Sequence, residues 1–129
     1  MDETLKDLAA HITGALGEAI TGWDVSHGEL SLQVAPAQIV KVTTFLRDDP
    51  ACLFQCIVDV CGVDYPAREL RFDVVYHLLS LRQNLRVRLK VQTDEDTPVP
   101  SICSVFPGAA WFERLYRADE DLLKVILQP

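Results

Sequence analysis

Apolar and polar positions alternate without a break from Leu85 to Val91. Leu85, Val87, Leu89 and Val91 fall on one side; Arg86, Arg88 and Lys90 fall on the other. Successive side chains of a strand point to opposite faces, so this segment predicts a strand with one buried and one cationic face. The preceding run from Arg71 to Leu81 predicts its partner. A two-residue turn at Gln83-Asn84 would pair Arg82 with Leu85 and Tyr76 with Val91. It would gather Phe72, Val74, Tyr76 and Leu78 with the apolar positions of the second strand, leaving Asp73 and His77 beside the basic ones. A three-residue turn would set the basic residues against Tyr76 and Leu78.

Helical spacing governs the N-terminus. Leu5, Leu8, Ala9, Ile12, Leu16, Ala19 and Ile20 recur every three or four positions, predicting a helix over Asp2 to Ile20 with Asp2 or Thr4 as N-cap. Gly14 and Gly17 are expected to let that helix lie close to the sheet. Trp23-Asp24-Val25, a turn at Ser26-His27-Gly28, and Leu30 to Val34 read as a hairpin. Pro36 opens a second helix whose stripe is Ile39, Val42, Phe45 and Leu46, and Asp49-Pro50 ends it. A third strand is expected from about Phe54 to Val60, followed by a break at Gly62 to Pro66. Val99 to Arg114 holds a short apolar segment and an aromatic turn. Ala118 to Pro129 predicts a terminal helix with Asp119 as its N-cap.

The order is α-β-β-α-β-β-β plus a C-terminal helix. It implies an α+β two-layer domain: an open, mostly antiparallel five-stranded sheet with helices on one face. The 129 residues suffice for one such domain, residues 1–129, and not for two.

Composition narrows the function classes. A net charge of -7 argues against a free-standing nucleic-acid binder. No apolar run approaches the roughly 18–20 residues of a membrane span, and the acidic start MDETLKDLAAHI resembles neither a secretory signal nor a presequence. A soluble, intracellular protein, or a mature form already cut, is expected. Cys52, Cys56 and Cys61 are spaced C-x3-C-x4-C, which fits neither zinc knuckles nor ferredoxin runs. In a regular strand Cys56 and Cys61 would point to opposite faces, so reduced thiols are expected and no metal or other cofactor.

No nucleotide, metalloprotease or nucleophile-elbow motif occurs. His11 and His27 are expected at the surface. His77 and Asp59 read as packed or hydrogen-bonded strand residues rather than as acid–base catalysts, unless a concave site with converging polar groups encloses them. Two features suggest contact with a partner protein. Arg86, Arg88 and Lys90 either protect an outer strand from edge pairing or meet a partner's carboxylates and carbonyls. Phe106, Trp111 and Phe112, around Pro107-Gly108 and followed by Glu113-Arg114, either cap the core or protrude as an aromatic anchor.

The succession DYP (Asp64 to Pro66), RFDVVYHLLSL (Arg71 to Leu81), NLRVRLKV (Asn84 to Val91), VPS (Val99 to Ser101) and VFPGAAWFER (Val105 to Arg114) resembles the C subunit of the proton-pumping NADH:quinone oxidoreductase, respiratory complex I. The resemblance covers roughly residues 54 to 114. It implies a two-layer domain without flavin, iron–sulfur cluster or quinone of its own. Such a domain packs in the hydrophilic arm against the subunits that hold the last clusters and the quinone cavity. It further implies a peripheral position on the cytoplasmic side of the membrane in a bacterium, with no nucleic acid or small-molecule substrate bound by this chain alone. After Glu113-Arg114 the chain departs from the family pattern: Leu115 to Glu120 stand where a further glutamate and a GHPDLRRIL segment usually follow, so a shortened form, an engineered truncation or a divergent paralogue is expected. The alternative is a stand-alone interaction module, an assembly factor or a membrane-bound hydrogenase component that keeps the same sheet.

Overall fold

The computed structural model describes residues 2–94, 97, 99–109 and 127–128. Helix α1 (Asp2–Leu16) is followed by a short 3₁₀ turn and the hairpin β1 (Ile20–Ser26) and β2 (Glu29–Val34). Helix α2 (Ile39–Asp48) leads to β3 (Cys56–Asp64), β4 (Phe72–Ser80) and β5 (Leu85–Thr93). Two short strands, β6 (Val99–Pro100) and β7 (Leu127–Gln128), pair in parallel. The α+β two-layer architecture and the element order up to β5 are those expected. The terminal helix expected over Ala118 to Pro129 falls largely outside the described residues, and its last part, Leu127–Gln128, lies in β7 instead.

The five main strands stand in the order β1-β2-β5-β4-β3. All neighbours are antiparallel except β2 and β5, which run parallel from Leu30–Val87 to Gln33–Lys90. That ladder joins the N-terminal hairpin to the β3–β5 meander and makes β5 the middle strand. Its apolar face is covered: Val87, Leu89 and Val91 are buried with Leu30, Leu32, Val74, Tyr76 and Leu78, and Leu85 is partly buried. The helices cover that side with Leu5, Leu8, Ala9, Ile12 and Leu16 of α1 and Ile39, Val42 and Leu46 of α2. Fully burying each such side chain contributes roughly 1.5–3 kcal/mol.

Several boundaries differ from expectation for identifiable reasons. Helix α1 stops at Leu16 because Gly17 takes a left-handed conformation at φ 57°, the usual device for ending a helix. Ala19 and Ile20 are buried as expected, yet from the 3₁₀ turn and β1. Thr4 lies within the first turn of α1, which runs from Asp2. Neither glycine brings the helix close to the sheet, since a Cβ at Gly14 or Gly17 would meet nothing within 4 Å. The first hairpin turns at His27-Gly28, whose φ values of 56° and 72° are the paired left-handed angles of a type I′ turn.

Strand β3 starts later than expected and runs through the anticipated break to Asp64. The Asp64-Tyr65-Pro66 segment then closes the β3–β4 loop. Arg71 grips Asp64 through Nε and Nη2 at 2.7 and 2.8 Å, and the Tyr65 amide donates to the Arg71 carbonyl at 2.7 Å.

The β4–β5 loop is longer than a two-residue turn. Ser80 pairs with Leu85 and Tyr76 with Leu89, leaving Leu81 to Asn84 as a four-residue connection. The Gln83 amide donates to Ser80 Oγ at 3.1 Å, and Asn84 sits at φ 54°. The local Ser80 bond holds the wider loop. The slip relative to the two-residue turn is an even number of positions, so every side chain keeps its expected face.

Gly14 is exposed in the last turn of α1, so Gly14→Ala should raise stability by up to roughly 0.5–1 kcal/mol, the helix-interior value. Gly17→Ala should lower it by about 1 kcal/mol through the left-handed angle. Urea titrations of both variants check the opposite signs.

Candidate docking face

The side of the sheet away from the helices is open over its middle, although Asp73 and Val75 of β4 are buried on it, and one row of side chains crosses all five strands there. The pairings set Asp24 of β1 beside Ser31 of β2, Ser31 beside Arg88 of β5, Arg88 beside His77 of β4, and His77 beside Asp59 of β3. Arg88 is the hub. Its Nη2 donates to Glu29 Oε2 at 3.2 Å and its Nε to His77 Nε2 at 3.2 Å. In that second bond Nε2 of His77 is the acceptor.

The face is therefore of mixed charge. Arg86, Arg88 and Lys90 alternate as expected, but the neighbouring strands place Asp24, Glu29 and Asp59 among them. The edge-protection reading of the basic residues does not hold, because β5 is the central strand. Protection lies elsewhere: the two edge strands carry irregularities, between Ile20 and Gly22 in β1 and between Ile57 and Asp59 in β3. Bulges of this kind twist an edge away from further pairing.

The β3 bulge also corrects the cysteine geometry. Cys56 pairs with Leu79 and Cys61 with Val75, so both thiols share the open face. Four strand positions nevertheless separate them, about 13 Å, too far for one ion. Burial pushes the Cys61 thiol up, Asp59 adds to the shift, and Arg88 opposes it.

The depression beside Arg88 and Lys90, with a volume of about 440 Å³, is bounded by Asp24, His27, Glu29 and Ser31. Small-molecule clefts are lined mainly by apolar groups with a few convergent polar ones. This lining is polar, and neither Asp59 nor His77 contributes to it. Asp59 and His77 pair side by side on the sheet face, both partly buried and outside this depression.

The aromatic segment divides. Phe106 is buried, together with Ile102, Val105 and Ala109, in the common core. Arg47 Nη1 holds the Val105 carbonyl at 2.9 Å, tying this segment to α2. Phe106 thus belongs to the core rather than to an exposed anchor. Trp111, Phe112, Glu113 and Arg114 lie outside the described residues.

A second polar cluster sits on the helix layer, and its residues could hold a metal ion. His11 Nε2 of α1 donates to Asp49 Oδ2 at 2.8 Å. The same carboxylate oxygen accepts the Ala51 amide at 3.1 Å, and the Cys52 thiol donates to Asp49 as well. Burial raises the Asp49 carboxyl, but these three hydrogen bonds outweigh it and hold the group below the usual range. Cys52 is fully buried, and burial followed by its bond to Asp49 pushes its thiol from 9.0 up to about 12. Sequence reading missed this cluster because its members are set by the contact between α1 and the turn after α2.

Residues 32–117 match the protein family described as the respiratory-chain NADH dehydrogenase, 30 Kd subunit. The chain belongs to that family. Relatives named as the C subunit of NADH-quinone oxidoreductase are 81% identical over 114 residues in Xanthobacter autotrophicus and 65% identical over 114 residues in Azorhizobium caulinodans. Each alignment covers 88% of this chain and 54% of the relative, so the chain spans about half the length of the relatives it matches. The fold is shared with a chain in the structure of the membrane-bound sulfane sulfur reductase, an archaeal respiratory membrane complex. There the TM-score is 0.71 at 19% identity, over 95% of this chain and 69% of that one. Among the described residues no helix is long and apolar enough to cross a membrane.

The raised Cys52 thiol has a defined pH consequence. The folded chain keeps a proton that the unfolded chain loses above 9.0. Its contribution to stability is complete below that value and is lost as pH rises toward about 12. Cys52→Ala should flatten the alkaline fall in stability, measured by urea titration with a chelator present.

Proposed function

We propose that this chain is a non-catalytic structural subunit of the hydrophilic arm of an NADH:quinone oxidoreductase, held between the subunits that carry clusters and those that form the quinone site. The observation that carries the reading is the one-sided sheet. Its helices bury one face, while the other displays Arg86, Arg88 and Lys90 along the middle strand. Membership of the 30 kDa subunit family supports the same reading.

The physics of the face suits docking better than chemistry. Arg88 is partly exposed and already oriented by Glu29 and His77. Exposed ion pairs of this type contribute about 0–1 kcal/mol to folding. They gain in strength when a partner excludes water around them. Arg86 and Arg88 offer planar donors that match carboxylates and backbone carbonyls. Trp111 and Phe112, followed by Glu113 and Arg114, would add an apolar anchor with a charged rim. Such a subunit would be peripheral to the membrane, on its cytoplasmic side in a bacterium, with electrons passing through its neighbours.

A tagged chain expressed in cells that make the complex should co-purify with the cluster-bearing subunits. Alone it should show no visible absorption from a prosthetic group and no NADH oxidation. Stoichiometric capture of a coloured cofactor by the isolated chain would overturn the proposal. Replacing Arg86 and Arg88 together by alanine should slow association and reduce its salt dependence, measured by stopped-flow mixing with the partner subcomplex. Trp111→Ala should weaken the complex by about 2 kcal/mol or more without matching loss of folding stability. Equal losses in binding and folding would assign Trp111 to the core.

A further inference from the structure

The His11, Asp49 and Cys52 cluster offers one imidazole nitrogen, one carboxylate and one sulfur, all within 4.8 Å of one another. We propose that these three side chains form a binding site for a thiophilic divalent cation of the zinc class, with water completing a four-coordinate shell.

Three observations carry this assignment. The first is distance. With metal–ligand bonds of about 2.0–2.3 Å, tetrahedral donors lie roughly 3.3–3.7 Å apart. The His11–Asp49 separation of 2.8 Å has to widen by less than about 1 Å to admit the ion. The second is rigidity. Asp49 directly follows α2, and its carbonyl accepts the amides of Cys52 at 2.9 Å and Leu53 at 3.0 Å. Leu53 takes a left-handed angle of 52°, which holds this turn tight before Phe54. His11 comes from the opposite wall, its ring centroid 6.0 Å from that of Phe45. The third is access. His11 is exposed and Asp49 partly so, while the sulfur is buried, so an ion can enter on the imidazole side and the open position faces solvent.

The donor set selects the ion class. A mixed nitrogen, oxygen and sulfur site suits zinc or cobalt, whereas magnesium and calcium take oxygen shells. Binding would release the Cys52 thiol proton to solvent, and the proton that His11 Nε2 donates to Asp49 would also have to leave that nitrogen, by exchange through solvent to Nδ1, to free Nε2 for the metal. Affinity should therefore increase with pH. The bound ion would staple α1 to the turn between α2 and β3, on the helix layer and apart from the docking face.

The bland alternative is a hydrogen-bonded clamp in which Asp49 merely accepts donors. Titration of the reduced chain with Co²⁺ separates the two. The site predicts a thiolate-to-cobalt band in the near ultraviolet and visible bands of four-coordinate cobalt, saturating at one ion per chain and bleached by Zn²⁺. His11→Ala alters an exposed side chain, so circular dichroism should show the fold intact. Loss of this ligand should weaken binding at least as much as the roughly 10–100-fold cost of removing an outer-shell partner. Cys52→Ser should abolish the ultraviolet band; should that variant fail to fold, the His11→Ala result decides. No cobalt band in the unaltered chain, or bands unchanged in His11→Ala, would overturn the proposal.

Discussion

The parallel ladder between β2 and β5 is the constraint on which the rest of the molecule depends. It sets the strand of strictest alternation in the middle of the sheet, with a neighbour on each side. One side of β5 is then committed to the core, where Val87, Leu89 and Val91 join the cluster to which both helices contribute. The other side is committed to the open face, because a slip of one residue would bury Arg86, Arg88 and Lys90 without partners. An unpaired buried charge costs several kcal/mol, so the register is defended from both faces.

The same ladder turns separate polar residues into one surface. Asp24, Ser31, Arg88, His77 and Asp59 come from five strands and are far apart in sequence. Only the pairing aligns them. Arg88 is thereby shared between Glu29 and His77, and the face carries both signs of charge rather than a uniform cationic field. A mixed surface reads orientation better than net charge does: a partner must match a pattern, and a misdocked one meets like charges.

Much of this is legible in the chain. The apolar stripe of α1, the turn at His27-Gly28, the end of α2 before Pro50 and the faces of β4 and β5 all follow from side-chain period and backbone stereochemistry. The departures have physical causes. The β4–β5 loop is longer than its residues suggest because Ser80 provides a side-chain acceptor that composition does not reveal. Cys56 and Cys61 share a face, against the parity of a regular strand, because a bulge between Ile57 and Asp59 resets that parity in β3. Phe106 stands next to a Pro-Gly turn, which suggests exposure, yet its backbone folds inward and joins Ile102 and Ala109.

Periodicity and motif were enough to set the elements up to β5, most of their buried sides and the family, since all three survive in one dimension. The central place of β5, the acidic residues among its cations and the meeting of His11 with Asp49 and Cys52 emerged only on folding. Such facts depend on which segments become neighbours. That choice is made by the burial of the whole apolar set at once, and no short window of residues contains it.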